Sequence, residues 1–182
     1  MENFSFLPFQ NVESDRLLLR QIIAADVNEI FALRSNADIM KYIPRPLCNT
    51  KDEALAYIKI LQDNLEKNEA CNWAITLKGN TKLIGIIGHY RIRWEHYRSE
   101  IGYMLLPEYY AKGIATEAVK MMVDFGFNQM NMHSLEGIIA PENIASARVL
   151  EKNNFVKEAH LIENEFFDGR FLDTVIYSLR KQ

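Results

Sequence analysis

Cysteine is scarce in this chain of 182 residues, which carries only Cys48 and Cys71. That excludes a disulfide-built scaffold and fits a reducing compartment. Neither thiol stands in a metal-ligand spacing, and the four histidines (His89, His96, His133, His160) are scattered, so no metal is expected. No residue beside either thiol points to a lowered pKa, which leaves both as inert core cysteines. Long apolar runs are missing too. No stretch reaches transmembrane length. The opening M-E-N-F-S-F-L-P-F-Q has neither the basic start nor the apolar run of a signal peptide. The expected place is the cytoplasm, without membrane contact. Charge of one sign is not concentrated. The net charge is −3 with no basic stripe, which argues against nucleic acid as a direct partner. No repeat, low-complexity tract or Gly/Ser/Pro-rich linker divides the chain. One domain over 1–182 is expected, with the fold over about 13–180 and an N-terminal extension at 1–12.

What is present is ordinary for a globular domain: 48% apolar and 25% charged residues. Hydrophobic patterning places the elements. Arg16 to Ile22 reads as a first strand. Asp26 is read as the cap of a helix running to about Arg34, with a second short helix near Asn36. Pro44 and Pro46 make Tyr42 to Asn49 a loop. Thr50, with Glu53 three residues on, forms a capping box. The helix it opens carries Ala54, Tyr57, Ile58, Leu61 and Leu65 at helical spacing. Trp73–Leu77, Lys82–Trp94 and Arg98–Leu106 read as an antiparallel meander. A long helix follows from Gly113 to about Met130, then a strand from Ser134 to Ile139. Pro141-Glu142-Asn143 leads into a helix through Lys152. Two strands joined around Phe167-Asp168-Gly169 close the chain. A strand, a helix and a strand in succession imply a right-handed crossover between parallel strands. The predicted class is α/β (α+β): a central mixed, mostly antiparallel sheet of about seven strands flanked by helices.

One stretch says more than the rest. Pro107 to Ala118, P-E-Y-Y-A-K-G-I-A-T-E-A, takes an apolar strand through a glycine turn into the long helix. The first turn of a helix leaves its N–H groups unpaired, and the macrodipole puts positive potential there. A phosphate suits such a place. Gly113 has no Cβ, so a ligand can come close to the backbone. On spacing alone, two readings stand: a binder of a pyrophosphate-bearing cofactor, or a plain strand–turn–helix.

Four blocks together resemble the GNAT acetyltransferase superfamily, and at residue level its RimJ/RimL-type branch. They are E-S-D-R-L-L-L-R (Glu13 to Arg20), S-E-I-G-Y-M-L-L-P-E-Y-Y-A-K-G-I-A-T-E-A (Ser99 to Ala118), P-E-N-I-A-S-A-R-V-L-E-K-N-N-F (Pro141 to Phe155) and D-G-R-F-L-D-T-V-I-Y-S-L (Asp168 to Leu179). They span nearly the whole domain. The resemblance implies acetyl-CoA as cofactor. It places the diphosphate on backbone groups of Ala111, Lys112, Gly113, Ile114, Ala115 and Thr116. It lays the pantetheine along backbone near Met104, Leu105 and Leu106. Asn143, by residue type a helix cap, is implied as a pantetheine contact. Ser146 is implied as the hydroxyl that stabilises or protonates the departing thiolate. Tyr103 and Tyr110 do not stand where many GNAT proteins carry a tyrosine for that task. Two departures are visible. Tyr110 replaces the frequent Arg or Gln, and Ala111 the usual Gly. Ala111 is expected to avoid the left-handed region, which costs a residue with a Cβ.

Acyl transfer to an amine needs a neutral amine, so a base is required near neutral pH. Glu100 is the candidate, against the alternative of a strand carboxylate paired with a surface cation. His89 is a second candidate, against a structural histidine. A backbone N–H near Leu105 would hold the oxyanion. Asp173 and Tyr177 could orient substrate or be edge and core residues. Arg45 in the Tyr42–Asn49 loop could clamp a carboxylate or be solvated. The resulting expectation is an acetyl-CoA-dependent N-acetyltransferase working by direct attack in a ternary complex. Its acceptor is a protein N-terminal α-amine, such as that of a ribosomal protein, or a small amine (polyamine, amino acid or antibiotic). A non-catalytic acyl-CoA-binding module is the rival from another class. A monomer and a homodimer fit equally.

Overall fold

The computed structural model describes residues 4–182; residues 1–3, the start of the expected extension, lie outside it. The strands are β1 (Val12–Glu13), β2 (Leu17–Gln21), β3 (Cys71–Leu77), β4 (Gly85–Arg93), β5 (Arg98–Leu105), β6 (Ser134–Ile139), β7 (Val156–Phe167) and β8 (Arg170–Arg180). The helices are α1 (Val27–Ser35), α2 (Ala37–Met40), α3 (Lys51–Glu66), α4 (Ile114–Asn128) and α5 (Ile144–Lys152). The strands form one sheet in the order β1-β2-β3-β4-β5-β6-β8-β7. β5 and β6 run parallel, joined by the crossover through α4. Their other neighbours are antiparallel. The expected sheet of about seven strands is thus eight-stranded, because the two-residue β1 pairs with β2.

Burial explains the layering. β3 is buried at six of its seven positions, as a strand covered on both faces must be. On one face, Trp73, Ile75, Ile87, Ile101 and Leu135 pack with Ala118, Met122 and Phe125 of α4 and Leu150 of α5. On the other, Ala74 and Ile86 pack with Ile30 and Leu33 of α1 and Ala54, Ile58 and Leu61 of α3.

Several expectations change in detail. The strand read from Lys82 to Trp94 begins at Gly85 and ends at Arg93, where a short 3-10 turn (Trp94–His96) takes over. Asp26 stands before α1, but its carboxylate does not cap that helix. It accepts from the Ile23 N–H at 2.9 Å and from the Arg20 guanidinium at 2.6 and 2.9 Å. Thr50 does cap α3, accepting from Glu53 N–H at 3.2 Å. The Glu53 carboxylate reaches back to the Asn49 N–H at 2.8 Å, one residue earlier than a capping box predicts. Of the segment read as an extension, residues 4–10 pack against the domain. Phe6 is buried, Asn68 pairs with the backbone of Phe4 and Phe6, and the Trp73 indole donates to the Gln10 carbonyl at 2.9 Å. No helix of the described residues is long and apolar enough to cross a membrane.

Candidate active site

The site begins where the sheet comes apart. β5 pairs with β4 as far as Leu105, and β6 pairs with β8 as far as Ile139. Between β5 and β6, pairing ends at Glu100 and Glu136. Beyond that pair a split opens, with free strand edges on both sides. Hydrogen bonds alternate along an antiparallel strand. Leu106 N–H donates to the Ile84 carbonyl at 2.9 Å, so Met104 and Leu106 turn their backbone groups toward β4. Ile101, Tyr103 and Leu105 turn theirs into the split. Of the backbone expected to receive the pantetheine, Leu105 faces the split and Met104 and Leu106 do not. Tyr103, on the same edge as Leu105, faces it as well.

One mouth of the split is the turn before α4. Gly113 is the N-cap residue at φ +74, and no side chain caps the helix. The N–H groups of Ile114, Ala115 and Thr116 therefore lack intrahelical partners. Ala111 sits at φ +57. This overturns the expectation that it avoids the left-handed region: the turn into α4 takes positive φ at both Ala111 and Gly113. Ala111, Lys112 and Gly113 are exposed. Arg16 braces the turn from β2's approach. It donates to the Lys112 carbonyl at 3.2 Å and pairs with Glu117, which also accepts from the Ser14 hydroxyl at 2.6 Å. Asn153 joins this turn to α5, donating to the Thr116 carbonyl at 3.1 Å and the Val149 carbonyl at 2.9 Å. Neither brace is visible from spacing, since each links positions far apart in the chain.

Across the split, Asn143 caps α5 and accepts from the Ser146 N–H at 3.1 Å. The Tyr103 hydroxyl reaches the Ser146 carbonyl at 3.4 Å. Burial pushes the Tyr103 phenol up to about 12, so it stays protonated at neutral pH beside Ser146.

Glu100 lies at the closed end of the split, on the α1/α3 face. Its neighbours on the adjoining strands are Tyr90 and Glu136. Glu136 is held by Arg93 at 3.0 Å and Arg98 at 2.6 Å. Glu100 pairs with Arg91 at 2.7 Å. That contact depends on an irregularity: the β4–β5 register shifts between Tyr90 and Arg93, and Arg91 takes φ +44. Such bulges re-aim side chains. Burial raises the Glu100 carboxyl, Arg91 lowers it and Glu136 raises it again, leaving it at about 7. A carboxyl there suits a general base near neutral pH.

The other candidates fall elsewhere. His89 is buried between the Ser99 hydroxyl (2.9 Å) and the Met122 carbonyl (3.1 Å), on the α4 face. Burial holds it down at about 4, which makes it a structural histidine. Asp173 binds His160 at 2.8 Å and the Glu163 N–H at 2.9 Å within the β7–β8 hairpin. Tyr177 is a core residue whose hydroxyl donates to Glu151 at 3.2 Å. Arg45 folds onto the carbonyl of Pro44 at 2.9 Å. Both cysteines are buried and free, and burial pushes the Cys71 thiol upward.

A sheet split at a parallel pair, with an uncapped glycine turn at its mouth, is matched by a family description. Residues 16–156 match the acetyltransferase (GNAT) domain. The chain belongs to the GNAT acetyltransferase family. An N-acetyltransferase of Bacillus subtilis called YoaA, itself described as uncharacterized, is 32% identical over 95% of this chain and 98% of its own. The spermidine N-acetyltransferase of Vibrio cholerae, solved with CoA and spermine, superposes with a TM-score of 0.80 at 25% identity, over 92% of this chain and 96% of that one. The ribosomal-protein-S5-alanine acetyltransferase of Vibrio fischeri superposes with a TM-score of 0.81, also at 25% identity, over 94% and 96%. The GNAT chain described here is therefore an N-acetyltransferase, and the two solved relatives differ in the acceptor their names give.

Proposed function

We propose that this GNAT protein acetylates a protein N-terminal α-amine with acetyl-CoA as donor. The observation that carries the donor side is the split between β5 and β6, with the uncapped turn of Gly113 at its mouth and Glu100 at its closed end. The residues present fit acetyl-CoA. The N–H groups at 111–116 and the helix dipole suit a diphosphate, and the free edge at Tyr103 and Leu105 suits an amide-bearing arm. Bound there, acetyl-CoA supplies the acetyl group as an activated thioester. Glu100 takes the proton from the incoming ammonium, directly or through water. Arg91 works against burial to lower that carboxyl, so that part of it is ionised at neutral pH. The Leu105 N–H offers a fixed donor for developing negative charge. Ser146 or the Tyr103 hydroxyl returns a proton to the departing sulfur. Asn143 holds the first turn of α5, and so Ser146, in place.

The resemblance to ribosomal-protein acetyltransferases supports the protein acceptor. A polyamine is the second reading, favoured by the spermidine-acetylating relative and by Glu165, which reaches the Glu100 environment from β7. Thiol release measured with acetyl-CoA and a panel of peptides and small amines separates the two. Turnover of peptides is expected; turnover of polyamines alone would overturn the protein acceptor. Absence of acetyl-CoA binding in calorimetry would overturn the donor side.

A further inference from the structure

Glu100 does not stand alone on its face of the sheet. Tyr90 neighbours it on β4, and the Tyr90 hydroxyl lies within electrostatic reach of Tyr57 on α3, Arg34 on α1, and Glu100 itself. Arg34 lies over the Tyr57 ring, 4.7 Å from its centre. Arg34 also ties down the Tyr42–Asn49 loop, donating to the Pro46 carbonyl at 3.3 Å and accepting at its own carbonyl from Cys48 N–H at 3.0 Å. Asn72 on β3 completes the group. It sits in a row with Gly88 and Gly102 across three strands. Its amide folds over Gly88, and the Tyr90 ring lies over Gly102. The two glycines are what leave room for these groups.

The group is unsatisfied. Among the described residues, the buried side-chain polar atoms without a hydrogen-bond partner are Arg34 Nε, Asn72 Nδ2 and Asn72 Oδ1. Asn72 is only 6% exposed. It is close enough to Tyr90 to favour ionisation of its hydroxyl, yet neither amide atom reaches hydrogen-bonding geometry. Each buried polar group left unpaired costs about 1–3 kcal/mol. Native chains keep few of them, and such groups call for a physical reason. Here all three fall in one cluster beside the candidate base.

Their chemistry selects a ligand. Two of the atoms are donors and one is an acceptor. A peptide group presents the complement, a carbonyl to the donors and an N–H to Asn72 Oδ1. A polyamine at neutral pH offers donors only. It would leave Arg34 Nε and Asn72 Nδ2 unpaired and place a cation beside a guanidinium. We infer that Asn72, with Arg34, is the acceptor-specificity element of this enzyme and pairs with the first peptide group behind the reacting α-amine. This rests on the N-acetyltransferase reading above.

The test compares three acceptors with acetyl-CoA: an Ala-Ala peptide amide, 2-aminobutane, which keeps the branched amine without the peptide group, and spermidine. The wild-type protein should favour the peptide over 2-aminobutane by about tenfold or more in kcat/KM, the worth of one to two hydrogen bonds. Asn72→Ala should reduce that ratio about tenfold through the peptide KM, with kcat little changed. It should melt no lower than wild type, because it removes two unpaired polar atoms. Asn72→Asp, which keeps the shape but loses the donor, should also lose the preference. An unchanged ratio in both variants would overturn the inference while leaving the N-acetyltransferase reading intact. So would a lower melting temperature in Asn72→Ala without a change in ratio, since that marks a structural role. Acetylation of none of the three would overturn both.

Discussion

On the α4 face of the split, the groups that would meet a ligand belong to the backbone. They are the N–H groups of one turn and the free edge of one strand, within residues 101–116. On the α1/α3 face they belong to side chains: Glu100, Asn72, Tyr90, Tyr57 and Arg34, brought from β5, β3, β4, α3 and α1. The donor face has few unmet demands beyond an anion. The acceptor face carries buried, unpaired polar atoms and a carboxyl displaced to about 7. A backbone site can be shared by a whole family, because it depends on where the chain turns. A side-chain site can be re-specified by single substitutions.

The sharpest way to break this comparison is Glu100→Gln. A missing general base lowers kcat by about 10²-fold or more, read by thiol release at saturating substrates. With Glu100 at about 7 and active as its carboxylate, wild-type activity should rise through pH 7. Arg91→Ala removes the cation that lowers the Glu100 pKa, so that limb should move to higher pH. The same carboxyl leaves a stability signature. Its folded pKa is raised above its ordinary value of 4.5, so the unfolded chain ionises first and stability falls as pH rises from 4.5 through 7. Melting curves of Glu100→Gln should lose that slope. A pH-independent rate loss, with the slope intact, would leave Glu100 a surface carboxylate paired with Arg91.

A change confined to the donor face should act on binding. Gly113→Val forces a β-branched side chain to φ +74, so the turn must open and its N–H groups lose their common aim. Acetyl-CoA should bind about tenfold more weakly by calorimetry, while the acceptor preference stays as it was. Unchanged binding would move the diphosphate away from this turn. Arg16→Ala is the milder version. Burial works to raise the Glu117 carboxyl, but hydrogen bonds from Ser14 and Arg16 outweigh it and hold the group below its ordinary value. Without Arg16, an ionised carboxylate in the first turn faces the incoming diphosphate. Binding should weaken about threefold, more at low salt, with stability down by less than about 1 kcal/mol because the pair is exposed.

The same contrast explains what could be read without coordinates. The strand–turn–helix at Pro107–Ala118 and the Asn143 cap are legible because each follows from a contiguous run of residues. The antiparallel meander and the parallel β5–β6 pair follow from element order. Asn72, Tyr90 and Arg34 gave no signal. An asparagine in a strand or an arginine in a helix has no meaning until the sheet sets Asn72, Gly88 and Gly102 in one row. The Arg91–Glu100 contact needed a bulge, which alternation of apolar residues does not reveal. Phe4 to Gln10 looked like an extension because its packing partners, Asn68 and Trp73, lie more than sixty positions away.

The smallest expected effect isolates backbone from side chain on the donor face. Ala111 occupies φ +57, where a Cβ costs roughly 1–2 kcal/mol and glycine costs little. Its side chain is exposed. Ala111→Gly should therefore relieve strain in the folded state while adding freedom to the unfolded chain. The first effect is the larger, so the variant should gain up to about 1 kcal/mol, read as a rise in melting temperature. If the turn is held in place by Arg16 and Asn153 rather than by Ala111, acetyl-CoA affinity should not change. A gain in affinity together with the gain in stability would mean that the alanine holds the turn away from its binding shape. A loss of stability would mean that Ala111 leaves the left-handed region in solution, and with it the geometry that aims the N–H groups of Gly113 to Thr116 at one point.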